Sequence, residues 1–445
     1  MPEPQSTAFF VLLMVTFAAL ICWLVLTKHL VLRVLAACLA FMPAVAFGVA
    51  AVNKYYDYYQ SWNAAITDVT SQDVPGTGPV LSTAGQAKDA AAAPVGHGFT
   101  TLLGNNIDTR LAAQDGYTLN LTVHGQASHL TRTVYVYLPP QYFQAAYRRY
   151  RFPAVELIHG YPGAPQDWIS VLDITTTLAA MIDKGQAKPA VLVMPDANGS
   201  RGISLQCLNV AGGPQDATFM AEDVQDYLSQ VLRIWPPGRA WAIAGYSEGG
   251  FCAANLGLQY GSRFGLVGVL SGYFRPSDDR MGDPPRNVNP FGHDRQFRLA
   301  NTPAAELLRL PAGAKIGKFW IGSGTDPGDI KAAEVFKQLL QLRQPLVQLQ
   351  VVQGGHSMFT WRVLIKPMLE WMTPQLATNV KLVRDRDRRL AHAAGPPAVS
   401  PPGTGQHPLP LQGFQRGPGS PPGASRAIHP RRVVQPPGLR ATIRR

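Results

Sequence analysis

A serine flanked by glycines stands between a short apolar run and a stretch with helical spacing. Residues 241–244 are apolar, residues 245–249 read Gly-Tyr-Ser-Glu-Gly, and residues 252–258 continue as a helix pattern. Strand, sharp turn and helix are the context of a nucleophile elbow, which holds a serine hydroxyl above a sheet. Gly245 and Gly249 are then required because a Cβ there would collide with neighbouring backbone. The alternative is a plain Gly/Ser turn, but the flanking pattern favours Ser247 as a nucleophile.

A serine hydroxyl is a weak nucleophile and needs a general base. In this arrangement the chain order is serine, then acid, then histidine. The last predicted strand ends in Gly354-Gly355-His356-Ser357, so His356 has the right order and lies at the right end of the sheet. The histidines that compete less well lie in the linker, before the core strands, in a long connecting loop or in the C-terminal region: His97, His124, His129, His293, His392, His407 and His429. The sequence therefore predicts His356 as the base.

Two aspartates compete for the role of the acid that orients the histidine. The strand ending at Ile321 runs into a loop that contains Asp326, Pro327 and Asp329. Asp326 comes first after the turn, and the following proline would stiffen it. Asp329 is better placed to cap the helix that begins near Ile330. We predict Asp326 as the acid, with Asp329 as the alternative.

An oxyanion hole needs two backbone N–H groups aimed at the developing negative charge. One is expected from Glu248, directly after the nucleophile. The second is expected from the loop His-Gly-Tyr-Pro-Gly at 159–163, where Tyr161 is the natural donor because Pro162 has no N–H. Asp167 and Trp168 follow on the same loop and are candidates for lining the substrate pocket, although Trp168 is equally well explained by core packing.

The cysteines and the remaining motifs limit the cofactors. No Cys/His metal spacing, P-loop or dinucleotide fingerprint is present in the sequence, so we expect neither metal nor cofactor. In an oxidising exterior, Cys207 and Cys252 would form a disulfide that clamps a loop to the helix behind Ser247. Two buried free thiols are the alternative, because spacing alone does not fix pairing.

The elements that position these residues alternate between buried runs and helices. An antiparallel opening pair is predicted at 118–123 and 132–138, followed by buried strands that end at His159, Met194, Tyr246, Leu270, Ile321 and Val352. Helical spacing appears at 216–234, 330–342 and 358–372. This pattern predicts an α/β fold with a mostly parallel sheet and helices on both faces. Ligands bind at the carboxyl ends of such strands, where the candidate residues fall.

The N-terminal region is apolar. Residues 8–26 and 34–52 are free of charge and close to the length that crosses a bilayer, which predicts a two-helix membrane anchor over 1–62. Lys28, His29 and Arg33 in the connection place it in the cytoplasm, and the later domain outside the cell. The aromatic segment 55–62 suits a membrane exit. A cleaved signal peptide ending at 44–46 is the alternative.

Three further divisions follow from composition. Residues 63–114 read as a linker, 115–380 as the catalytic domain, and 381–445 as a disordered tail rich in Pro, Gly and Arg. The tail holds twelve basic and two acidic residues, hence ten of the chain's net twelve positive charges. Anionic lipid or an envelope polymer is the expected partner of the tail, and nucleic acid is not expected. The oligomeric state stays open.

The motifs at 159–163, 195–196, 245–250 and 354–357 resemble the putative esterase family of α/β-hydrolases. That family includes esterase D, enterochelin-type esterases, feruloyl esterases and actinobacterial mycolyltransferases. The resemblance covers about 118–372, and the layout is similar to membrane-anchored actinobacterial members. It implies an α/β-hydrolase fold with Ser247, His356 and Asp326 as the triad and Tyr161 and Glu248 as oxyanion donors. Mycolyltransferases use Glu as the acid, so Asp326 matches the esterases better.

These observations predict an exported, membrane-anchored serine esterase or acyltransferase that acts on carboxylic, lipid-like esters through an acyl-enzyme. Hydrolysis and acyl transfer differ only in whether water or an alcohol resolves that intermediate. The alternatives are a mycolyl-type acyltransferase of the cell envelope, a serine peptidase on the same fold, and a non-catalytic envelope-binding protein.

Overall fold

The structure is a computed structural model that describes residues 1–56, 58–62, 65–66, 77–82, 107–199, 204–276, 291 and 294–393. Its centre is a nine-stranded sheet with the order β1-β2-β3-β5-β4-β6-β7-β8-β9. The strands are β1 (Thr77–Ser82), β2 (Tyr117–His124), β3 (Thr131–Leu138), β4 (Ala154–Ile158), β5 (Val191–Pro195), β6 (Gly238–Tyr246), β7 (Phe264–Leu270), β8 (Lys318–Ser323) and β9 (Gln348–Val351).

Helices precede, cover and follow this sheet. They are α1 (Thr7–Leu26), α2 (Leu30–Tyr56), α3 (Thr109–Asp115), α4 (Asp167–Ser170), α5 (Ile174–Asp183), α6 (Asp216–Thr218), α7 (Gln225–Val231), α8 (Glu248–Gln259), α9 (Arg295–Ala300), α10 (Pro303–Arg309), α11 (Pro327–Gln341) and α12 (Met358–Ala393). A π-helical segment, Phe219–Val224, joins α6 to α7. Short 3₁₀ turns lie at Pro140–Tyr142 and Ala145–Tyr147.

Strand direction confirms the predicted mostly parallel sheet with an antiparallel opening pair. β3 runs antiparallel to both β2 and β5. The pairs β5-β4, β4-β6, β6-β7, β7-β8 and β8-β9 are all parallel. β4 and β5 are buried at every position, as expected for strands covered on both faces. The carboxyl ends of β4, β6, β7 and β8 therefore meet at one edge of the sheet, and the loops that leave this edge carry the candidate residues.

Two apolar cores cover the two faces of the sheet. One contains side chains of α8 and α11, including Phe251 and Phe336. The other contains side chains of α5 and α12, including Leu178, Leu364 and Met368. Helices on both faces thus bury the alternating side chains of the same strands, which agrees with the α/β prediction.

The two N-terminal helices are long and apolar enough to cross a membrane. Phe10 near the start of α1 contacts Phe47 near the end of α2, with ring centroids 5.2 Å apart. Lys54 Nζ lies 5.2 Å from the same Phe10 ring. The two helices therefore run antiparallel, with the start of α1 beside the last turns of α2.

Two predicted boundaries are corrected. The segment 63–114 contains more than a linker, because β1 pairs in parallel with β2 and α3 begins at an Asp108 cap. The last helix does not end at Met372 but continues to Ala393, so part of the predicted tail is helical. Much of the predicted linker, and the tail from residue 394 onward, lie outside the described residues.

Candidate active site

The turn between β6 and α8 holds Ser247 in an unusual backbone conformation. Its φ is 55° and its ψ is −120°. Residues with a side chain rarely adopt such angles, and they persist only where surrounding structure enforces them. Here the Ser247 N–H donates to the carbonyl oxygen of Leu270 on β7 at 2.9 Å. Ser247 is therefore fixed to the neighbouring strand as the first residue before α8.

Close backbone approaches explain the two glycines of the motif. A Cβ on Gly245 would lie 2.1 Å from the carbonyl oxygen of Gly249. A Cβ on Gly249 would lie 2.1 Å from the carbonyl oxygen of Ile158, at the end of β4. Neither distance is compatible with a side chain, so α8 enters the sheet edge only because both positions are glycine. The prediction of a strand, turn and helix at this motif is confirmed.

Ser247 and His356 lie within hydrogen-bond distance although 109 positions separate them. The Nε2 atom of His356 is 2.9 Å from Ser247 Oγ, and its Nδ1 atom is 2.7 Å from Asp329 Oδ2. Because an ionised carboxylate only accepts hydrogen bonds, Nδ1 carries the proton. Nε2 then accepts a hydrogen bond from the Ser247 hydroxyl. A neutral imidazole in this tautomer can take the proton of Ser247.

The structure contradicts the choice of Asp326 as the acid. Asp326 is the N-cap of α11, and its Oδ1 accepts from the N–H groups of Gly328 at 2.9 Å and Asp329 at 3.3 Å. Its side chain is therefore turned toward its own helix. Asp329, one turn along, reaches His356 instead. A signal was available in the sequence: Pro327 suits the first position of a helix, which makes the preceding aspartate the cap.

The predicted oxyanion donors, Tyr161 and Glu248, lie where the loop after β4 approaches the elbow. Glu248 is the first residue of α8, and the first N–H groups of a helix have no partner within it. A Cβ on Gly160 would lie 3.2 Å from Ser247 Cβ, so the loop that carries Tyr161 packs directly against the nucleophile. The structure thus brings the Tyr161 and Glu248 segments together on either side of Ser247.

The Glu248 side chain points into the protein and not into the site. It is 5% exposed and accepts a hydrogen bond from the Ser204 hydroxyl. Burial raises the pKa of Glu248 to about 7, although the Ser204 hydrogen bond opposes this shift. The nearby Cys207 and Cys252 sulfurs are bonded to each other, with Cα atoms 5.6 Å apart. This disulfide links the 204–209 segment to α8, as the sequence suggested.

Asp167 and Trp168 do not line a substrate pocket. Trp168 is fully buried, and its ring packs edge-on against Tyr246 at 5.1 Å. Asp167 is 1% exposed and accepts hydrogen bonds from the Tyr246 hydroxyl at 2.9 Å and the Ala164 N–H at 3.0 Å. Both residues begin α4, whose inner face packs into the core. Both side chains contact Tyr246, the residue before Ser247, and both are buried from solvent.

Sequence reasoning missed Trp361, which contacts His356, the predicted base. Its ring stacks on Tyr246 at 4.6 Å and meets the His356 ring edge-on at 5.0 Å. Trp361 lies in the first turn of α12, where an aromatic residue looks like an ordinary core position. The residue nevertheless joins the elbow and the histidine loop through one packed aromatic group.

Within the described ranges, no group of three or more His, Cys, Asp or Glu side chains is arranged to hold a metal ion. The loop 159–163, which carries the predicted donor Tyr161, is called the oxyanion loop below. Its one histidine, His159, is 1% exposed and has both ring nitrogens in contact with polar atoms. Its Nδ1 is 2.8 Å from the Gly160 carbonyl oxygen, and its Nε2 accepts from the Ala197 N–H at 3.1 Å. These two contacts hold the loop in place. Burial lowers the pKa of His159, but the Asp196 carboxylate and the Gly160 carbonyl oxygen together raise it above its ordinary value.

Comparison with known proteins identifies the family. Residues 126–372, more than half of the chain, match the family described as "Putative esterase". The chain belongs to this family. A ferulic acid esterase has the same fold, with a TM-score of 0.51 and 19% identity over 59% of this chain and 99% of that one. The fold is that of the α/β-hydrolases.

Two sequence relatives match over only part of their length. An uncharacterized protein of Corynebacterium glutamicum is 25% identical over 248 residues, 54% of this chain and 57% of its own length. The MPT51 antigen of Mycobacterium leprae is 29% identical over 126 residues, 28% of this chain and 38% of its own. The match thus spans little more than half of the first relative and less of the second.

Proposed function

We propose that the protein is a membrane-anchored serine esterase with a Ser247–His356–Asp329 triad. The observation that carries the proposal is the continuous hydrogen-bonded chain from Ser247 Oγ through the imidazole to Asp329, with links of 2.9 and 2.7 Å. It lies at the carboxyl edge of a parallel sheet, in a chain that belongs to an esterase family.

Each residue has one role in the proposed reaction. Ser247 Oγ attacks the ester carbonyl carbon while His356 Nε2 takes the hydroxyl proton. The carbonyl oxygen becomes negative and accepts hydrogen bonds from the Tyr161 and Glu248 N–H groups. His356 then returns the proton to the leaving alcohol, and an acyl-enzyme remains. Water, activated by the same imidazole, hydrolyses the acyl-enzyme and frees Ser247. Asp329 holds the imidazole and stabilises its charged form throughout.

The test is ester hydrolysis by the purified full-length protein in detergent. p-Nitrophenyl esters of increasing acyl length serve as substrates. Ser247→Ala should lower kcat/KM by about 10⁴- to 10⁶-fold, because the nucleophile is lost. The matched control is Ser229→Ala, which removes a hydroxyl that donates to the Asp226 carbonyl oxygen in its own helix, α7. Equal activity in the wild type and Ser247→Ala would contradict the proposal.

Amide substrates distinguish an esterase from a peptidase. p-Nitroanilides with the same acyl groups should be cleaved about a thousandfold more slowly than the esters, because an amide carbonyl is less electrophilic and its amine is a poorer leaving group than p-nitrophenolate. Faster cleavage of the anilides would replace the esterase assignment with a peptidase on the same fold.

The proposed anchor is α1 with α2, and the proposed location of the catalytic domain is outside the cytoplasm. The support is the apolar length of both helices and the basic residues Lys28, His29 and Arg33 around their connection. Alkaline phosphatase fused after Trp62 should be active, and the same enzyme fused after His29 should be inactive. The reverse result would place the catalytic domain in the cytoplasm.

A further inference from the structure

A tyrosine just after α2 reaches the support of the nucleophile elbow. The Tyr58 hydroxyl donates to Asp167 Oδ1 at 2.8 Å. The other oxygen of Asp167 accepts from the Tyr246 hydroxyl at 2.9 Å and from the Ala164 N–H at 3.0 Å. Tyr246 directly precedes Ser247. Residues 58–62, just after the proposed anchor helix α2, are called the membrane-proximal segment. A chain of hydrogen bonds therefore runs from this segment through Asp167 to Tyr246, the residue before Ser247.

Tyr58 is itself fixed to the end of α2. The Asn53 side chain donates to the Tyr59 carbonyl oxygen at 2.9 Å and accepts from the Tyr59 N–H at 2.7 Å. The Tyr58 N–H donates to the Asn53 carbonyl oxygen at 3.2 Å. The rings of Tyr58 and Tyr59 meet edge-on at 4.8 Å and pack against the core that contains Trp168 and Tyr246. The segment is thus joined to the helix on one side and to the catalytic domain on the other.

The Asp167 carboxylate depends on this contact because it is buried. It is 1% exposed, and a buried carboxylate needs donors for its lone pairs. The three donors named above come from the membrane-proximal segment, the loop after β4 and the elbow strand. A Cβ on Gly163 would lie 2.8 Å from Asp167 Oδ2, so the same carboxylate packs closely against the oxyanion loop. If the Tyr58 donor is lost, we expect the carboxylate to turn. Its contacts with the loop after β4 and with the elbow strand should then weaken.

We propose that Tyr58 is a positioning residue that couples the membrane anchor to the elbow and the oxyanion loop through Asp167. The inference rests on the proposed esterase function. It means that the anchor is more than a tether: the segment that leaves the membrane completes the support of the catalytic site and holds that site at a fixed place relative to α2.

The test compares two tyrosine-to-phenylalanine variants of the full-length protein in nanodiscs. Tyr58→Phe removes the donor and keeps the ring. Tyr55→Phe is the matched control, because Tyr55 is 77% exposed at the end of α2, three positions before Tyr58. Tyr58→Phe should lower kcat by about 3- to 10-fold with KM within twofold, the scale of one typical hydrogen bond. Tyr55→Phe should change neither constant.

A double variant separates positioning from general packing. If Tyr58 acts through Asp167, Tyr58→Phe combined with Asp167→Asn should be no slower than Asp167→Asn alone. Multiplying rate losses, or equal kcat values for Tyr58→Phe and Tyr55→Phe, would overturn the proposal.

Amide hydrogen exchange gives a readout that does not need activity. The Ala164 N–H should exchange at least fivefold faster in Tyr58→Phe than in Tyr55→Phe, whereas the Val155 N–H in β4 should not change. Unchanged exchange at Ala164 would overturn the coupling. A wild type without esterase activity but with this exchange response would remove the proposed function and leave the coupling standing.

Discussion

The elbow lies at the start of α8, and residues 324–329, called the acid loop here, lead into the start of α11. The two segments constrain their residues very differently. In the elbow, backbone atoms of β4 and α8 approach so closely that Gly245 and Gly249 admit no side chain. In the acid loop, Asp326 and Asp329 stand three positions apart at the start of α11, and either is chemically suited to face a histidine. Steric exclusion leaves one arrangement of the elbow, whereas the acid loop is decided by which aspartate caps the helix.

The two aspartates offer the sharpest test of this difference, and the largest expected effect. Asp329→Asn should lower kcat/KM by about 10²- to 10⁴-fold, because an amide no longer holds the imidazole in the productive tautomer or stabilises its charge. Asp326→Asn is the matched control: asparagine caps helices as well as aspartate, so activity and stability should stay near wild type. Ester hydrolysis and thermal unfolding measure both. A larger catalytic loss in Asp326→Asn would reverse the assignment.

A pair of glycine substitutions compares steric tolerance at the two helix starts. Gly249→Ala places a Cβ 2.1 Å from the Ile158 carbonyl oxygen, so we expect a loss of more than about 3 kcal/mol in the free energy of unfolding. Gly328→Ala brings a Cβ no closer than 3.2 Å to Asp326 Oδ1, and its effect should stay within about 1 kcal/mol. Denaturant unfolding measures the free energy of unfolding of both variants. Equal stability of the two variants would show that the elbow is not sterically exclusive.

The disulfide behind the elbow has no counterpart in the described part of the acid loop. Replacing Cys207 and Cys252 together by serine should lower the free energy of unfolding by about 2–4 kcal/mol, since the bond closes a loop with a sequence separation of 45. Cys38→Ala, at an exposed free thiol, is the control. Calorimetry with and without reductant measures the loss. A reductant effect that persists in the double variant would assign the stabilisation to another source.

The smallest expected effect concerns pH. Burial raises the pKa of Glu248 from 4.5 to about 7, so the folded protein binds more protons than the unfolded chain between these values. The contribution of this group to stability is therefore full below about 4.5 and falls as the pH rises through about 7. Glu248→Gln keeps an acceptor for Ser204 and should remove this fall, on the order of 1–3 kcal/mol. Unfolding midpoints across this pH window should show a flatter profile for the variant. Identical profiles would contradict a raised pKa.

The same comparison explains what could be predicted from the sequence. The elbow was predictable because its glycines, serine and flanking periodicities all describe one local geometry. The place of His356 followed from chain order and from the end of the last strand. The identity of the acid was not predictable, because the choice between Asp326 and Asp329 depends on the direction of two short side chains within one turn of helix.

Long-range contacts account for the other differences. Asp167 and Trp168 follow a functional loop in the sequence, but α4 turns them into the core against Tyr246. Thr77–Ser82 has a linker composition and still pairs with β2, because an edge strand needs only backbone partners. Tyr58 looks like a membrane-interface residue, and only the folded structure brings it to Asp167.

The most direct test of the central claim is to map the site of a fluorophosphonate adduct on the full-length protein. The reagent phosphonylates a serine that a neighbouring imidazole activates. Peptide mass spectrometry should find one adduct, on Ser247, and labelling should be at least a hundredfold slower in His356→Ala. An unlabelled wild type, an adduct on another serine, or a labelling rate that does not depend on His356 would contradict the account.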